Sequence, residues 1–207
     1  MRKVLVKSFV SLYGKVCNIM EEKEFYEKFE KDLLNDMLSF CTSLGMQDGT
    51  LLSSDDIDGK WKEFAPEYMA DAVPQIGQFP EAALGWAGFI GMAIAQWWDE
   101  DWGRHHSVKY KDLYGPRGFD DMDDHIVADI LGYSLGSAEA GTISKIMLSC
   151  AQMAMDKIRR ENIEAQTNRS YQILARSMRA IFRIGVSVRL KKLGYKFQKI
   201  EFRQPLS

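Results

Sequence analysis

Apolar residues recur at spacings of three and four through most of this chain, and that period sets the expected fold class. Leu5, Phe9, Leu12, Val16 and Ile19 form one such stripe and predict a helix from about Val4 to Met20. Phe25, Phe29, Leu33, Met37, Phe40 and Leu44 form a second, behind Glu21, Glu22 and Glu24, whose charges suit a helix N-terminus. A separate helix from Glu22 to Leu44 is therefore expected, stopped by Gly45 and the turn residues Gln47-Asp48-Gly49-Thr50. Ser53-Ser54-Asp55-Asp56 offers caps for a third helix carrying Trp61, Phe64, Tyr68 and Met69, with Pro66 placed to bend it.

From Ala82 to Trp98 the only strongly polar residue is Gln96. A helix of that length spans about 25 Å, short of the roughly 30 Å hydrocarbon layer of a membrane. Ala83, Ala87, Gly91 and Ala95 make a row of small residues, with Gly85 and Gly88 nearby, that lets another helix approach closely. The segment reads as a central buried helix, not a membrane span. Residues 103–118 break the pattern with two His, two Tyr, several cations and a Gly115-Pro116-Arg117-Gly118 turn. A connection this long in a helical protein marks a candidate functional loop.

Beyond it, Ile126, Val127, Ile130 and Leu131 predict a helix from Asp120 to Gly136, and Ser137 caps another to about Ile163. Asn168 or Ser170 opens the last helix, which ends on the cationic turn Lys191-Lys192-Leu193-Gly194. Tyr195-Lys196-Phe197-Gln198 alternates like a strand; it has no partner of its own and would dock on the bundle or across a dimer. The expected fold is all-α: a helical bundle of about six or seven helices in a single domain over residues 1–207, with a short extended C-terminal tail.

Composition adds little to this and charge adds more. The chain is 46% hydrophobic and 27% charged, with five Pro, an ordinary globular balance over 207 residues. Cys17, Cys41 and Cys150 are odd in number and far apart, and read as buried thiols in a reducing compartment. Met1-Arg2-Lys3 has the charge of a signal peptide, but Lys7 and Lys15 interrupt any apolar core, so the expected location is cytoplasmic. The net charge of −2 hides a segregation: after Met155 thirteen basic side chains face four acidic ones. Arg169, Arg176 and Arg183 recur every seven residues with Arg179 beside them, along one side of the last helix. That stripe can pair with acidic segments, bind phosphate or nucleic acid, or be solvated; a pI near 6.0 argues against nucleic acid.

One constellation carries potential chemistry. Asp101 and His105 are four apart, and Asp121, His125 and Asp129 stand at i, i+4 and i+8, which on a helix puts each set on one face. Carboxylates and imidazoles from two elements are what a divalent-metal site in a bundle requires. Arg104, Lys109, Lys111 and Arg117 between them would hold an anion, giving a metal-dependent hydrolase of a phosphate-bearing small molecule. Against it, Asp120, Asp121, Asp123 and Asp124 suit a helix start with no metal present, and no established ligand spacing occurs. The residues favour a non-catalytic interaction or scaffold module that self-associates or binds a protein partner, with no resident cofactor; the hydrolase is the alternative.

Overall fold

A computed structural model describes residues 2–51 and 54–196, with side chains from Glu21 onward. Among the described residues there are six α-helices and no strand, in agreement with the all-α bundle. They are α1 (Arg2–Ser43), α2 (Asp55–Ala72), α3 (Pro80–His105), α4 (Met122–His125), α5 (Ala138–Arg160) and α6 (Asn168–Lys192). No described helix is long and apolar enough to cross a membrane. Of the extended tail expected from Tyr195 to Gln198, Tyr195 and Lys196 are described and are not helical, and the rest lies outside the described residues.

The first two predicted helices are one. Nothing between Lys15 and Leu44 is Gly or Pro, so α1 runs unbroken for 42 residues, about 63 Å of helix. The glutamates read as a helix start sit instead along its surface, where Glu27 pairs with Lys23 at 3.8 Å. Pro66 stands inside α2 without ending it. The predicted Asp120–Gly136 helix is shorter: a 3₁₀ turn at Phe119–Asp121, four α residues and a π turn at Ile126–Ile130, closed by Gly132 at φ 73°. Thr167, not Asn168 or Ser170, caps α6, its hydroxyl accepting from the Ser170 amide while the Ser170 hydroxyl accepts from the Thr167 amide.

α3 is the axis of the bundle. Fourteen of its residues from Ala83 to Trp97 are buried, around its whole circumference. α6 runs parallel to it in the most extensive helix contact among the described residues, and glycines make that contact possible. A Cβ on Gly91 would overlap the Phe182 carbonyl oxygen, and one on Gly185 would overlap the Gly88 carbonyl. The small-residue row of α3 thus seats backbone against backbone, as its spacing predicted. Toward α5, Gly85 and Gly88 pack against Met147.

α1 runs parallel to α6 and antiparallel to α5: Phe25 lies under the Arg169 guanidinium at 4.1 Å, Glu30 meets Arg176, and Phe29 lies under Lys157 at 5.5 Å. Cys41 and Cys150 are buried free thiols in contact across α1 and α5, and that contact together with burial pushes the Cys150 thiol up. α2 runs antiparallel to α6, with Trp61 stacked on Phe182 at 4.6 Å. Of the tryptophan pair, Trp97 turns inward, while Trp98 packs under Tyr195, whose hydroxyl donates to Asp99.

Candidate functional site

The five residues proposed from sequence as metal ligands do not converge; among the described residues no three His, Cys, Asp or Glu side chains gather as a metal site. The backbone is the reason. Asp101 leaves the helical region (φ −167°, ψ 88°), which breaks its i, i+4 relation to His105, and its carboxylate accepts from the Arg104 amide at 3.1 Å. His105 stacks on Trp97 at 5.7 Å, with Glu100 at 3.9 Å. Asp121 is likewise non-helical (φ −132°, ψ 26°), so it does not stack with His125. Buried, its carboxylate accepts from the Arg117 amide at 3.0 and 3.1 Å and pairs with the Arg117 guanidinium at 3.4 Å. Only the His125–Asp129 pair forms as spaced, at 2.8 Å. That is an i, i+4 pair at a partly exposed helix surface.

The basic loop is also committed to its own chain. Lys109 pairs with Glu63 of α2 at 3.2 Å, and Lys111 with Asp71 at 3.4 Å. Asp71 also accepts from the Tyr110 hydroxyl at 3.0 Å and from Tyr114. Lys60, almost fully buried, donates to Glu63 at 2.9 Å and to the His106 carbonyl at 2.7 Å. The Lys60 hydrogen bond holds the Glu63 carboxyl below its ordinary value, with Lys109 adding to it. Burial and the Asp71 charge push the Tyr110 hydroxyl up, so it stays a donor. Of the four anion-binding candidates, Lys109, Lys111 and Arg117 therefore serve as staples, and Arg104 is exposed with its amide capped by Asp101.

A site that the sequence did not point to lies between α2 and α6. The two helices splay beyond the Trp61–Phe182 stack and leave adjoining hollows of about 420 and 200 Å³ that share Trp61, Ala65, Met69 and Arg179. Glu30 reaches in from α1 and takes both Arg176, at 2.7 Å, and Arg179, at 3.4 Å. The arginine stripe thus splits: Arg169 caps the Phe25 ring, and Arg176 and Arg179 share one carboxylate. Two guanidinium groups against one carboxylate leave a positive excess at this wall. The Arg176 Nε is buried and meets no acceptor among the described residues. A separate hollow of about 640 Å³ opens where α5 and α6 meet the turn after α2, lined by apolar residues such as Ile76, Ile158, Ile163 and Leu174.

One further network escaped the sequence reading. Arg189, in the buried half of α6, donates through Nε to Gln96 at 2.7 Å and through a terminal nitrogen to the Tyr133 hydroxyl at 2.7 Å. Gln96 as the one polar residue in an apolar run, and Arg189 as the one cation in Val186-Ser187-Val188-Arg189-Leu190, were the available signal.

The fold thus defines an all-α bundle whose polar clusters are mostly satisfied within the chain. No family model, no curated protein and no solved structure matches it.

Proposed function

We propose that the protein is a non-catalytic helical interaction module that self-associates through the N-terminal half of α1. The observation that supports this is a register. α6 begins, α5 ends and α2 ends at the level of Phe25, yet α1 contributes helical residues 2–24 before that level. That is about 35 Å of helix. Along it Leu5, Phe9, Leu12, Val16 and Ile19 alternate spacings of four and three, the pattern that buries a seam against a second helix. A second copy of the chain supplies such a helix with the same stripe, closing a symmetric pair. Of Asp101, His105, Asp121, His125 and Asp129 only His125 and Asp129 meet as a pair, which gives the hydrolase reading less support than the interaction module.

Sedimentation of the full-length chain tests this reading. A dimer is expected, and the double substitution Phe9→Glu, Val16→Glu converts it to a monomer with an unchanged helical spectrum. Deleting residues 197–207 leaves the dimer intact. A full-length monomer at every concentration overturns the reading, as does a dimer that survives the double substitution or is lost with the tail.

A further inference from the structure

We propose that the cleft between α2 and α6 binds a small organic anion, with an apolar or aromatic body lying against Trp61 and Met69 and the charged group at Arg176 and Arg179. The argument is independent of self-association, since the cleft is built from α2 and α6 with one carboxylate from α1.

Shape comes first. The larger hollow, about 420 Å³, falls in the range that holds a small ligand, the smaller, about 200 Å³, extends it toward Glu30 and Arg176, and Trp61, Ala65 and Met69 form a continuous apolar wall through both. Trp61 and Met69 are themselves buried, so the wall is held by the core. Packing Trp61 on Phe182 and Arg176 over the Tyr26 ring at 5.5 Å fixes both sides of the cleft before any ligand arrives.

Charge then selects the ligand class. Glu30 holds two guanidinium groups in place and neutralises only one of them. Lys62 and Asp58 also line the larger hollow, one cation and one carboxylate, and leave that excess of one unchanged. A carboxylate, sulfonate or phosphate balances the excess charge and accepts from the Arg179 guanidinium, whose side chain is 42% exposed, in the forked geometry a guanidinium favours. A neutral ligand of the same shape does neither. The lining carries no thiol and no imidazole, so the chemistry on offer is recognition.

The test compares two probes with the same fused ring system, 8-anilinonaphthalene-1-sulfonate and the neutral N-phenyl-1-naphthylamine, titrated calorimetrically into the full-length protein. The sulfonate is expected to bind at one site per chain, about tenfold more tightly than the neutral amine. Arg179→Gln removes most of that advantage and Arg179→Lys keeps part of it; the Arg179 side chain is 42% exposed, so neither change disturbs the core. Added salt weakens the sulfonate and spares the amine. Ile163→Asp, in the separate apolar hollow, leaves sulfonate affinity unchanged. Equal affinity of the two probes overturns the proposal. So does sulfonate binding that survives Arg179→Gln, or that is lost with Ile163→Asp.

Discussion

α3 and α2 both pack on α6, and they do so in opposite ways. α3 meets it through glycine: backbone lies on backbone along Gly88, Gly91 and Gly185, and the buried Arg189 is enclosed by Gln96 and Tyr133. α2 meets it through a single large stack, Trp61 on Phe182, and then diverges. Its other face turns outward to hold the 106–114 loop through Lys60, Glu63 and Asp71. The contrast shows how the same helix is structural on one side and leaves room for a ligand on the other. Small side chains bring axes together until nothing fits between them, whereas one bulky pair acts as a spacer.

Substituting glycines separates the two contacts most sharply. An alanine favours a helix over glycine by about 1 kcal/mol where there is space for its Cβ. Gly59 in α2 has that space, so Gly59→Ala raises stability by about that amount. Gly185→Ala drives its Cβ into the Gly88 carbonyl, a backbone atom that cannot turn aside, and lowers stability by about 3 kcal/mol. Urea unfolding of the two variants reads opposite signs; equal effects would mean the α3–α6 seam is looser than described.

A smaller loss is expected on the α2 face. Asp71→Ala leaves the buried Tyr110 hydroxyl without its acceptor and costs about 2 kcal/mol. Because Asp71 also holds Lys111 and Tyr114, amide exchange should rise across 107–114 while the α3–α6 seam stays protected. Uniform acceleration through both regions would show that the loop and the seam unfold as one unit.

The smallest effect is one of pH. The folded Glu63 carboxyl lies below its unfolded value, so its contribution is present above the ordinary glutamate range, near 4.3, and is lost as pH falls through the lower folded value. Stability of the wild type should therefore drop more in that acid window than that of Glu63→Gln. The exposure of Glu63 keeps the difference small. Identical pH profiles would remove Glu63 from the loop latch.

Much of this was legible before any coordinates. The 3.6-residue period of Phe29, Leu33 and Met37, or of Ile143, Ile146, Met147 and Cys150, specified helices and their buried faces, because burying a stripe is a local consequence of spacing. The small-residue row of α3 announced a close neighbour, but not that Gly185 would be its counterpart. Helix ends were read less well. Acidic residues resemble a start wherever they cluster, and at Glu21–Glu24 no Gly or Pro interrupts the chain to make one. The metal constellation failed for the same local reason: equal spacing puts side chains on one face only while the backbone stays helical, and Asp101 and Asp121 do not.

What tertiary structure alone decided is partnership. Arg176, Arg179 and Arg189 lie on one helix, yet one meets Gln96 and Tyr133 in the core and the other two share Glu30 beside a cleft. Which acceptor meets which of these cations depends on helices more than ninety residues apart coming into register. Hydrophobic periodicity determines which face of a helix is buried, but a charge takes its partner from whatever the packed neighbours place within hydrogen-bonding distance.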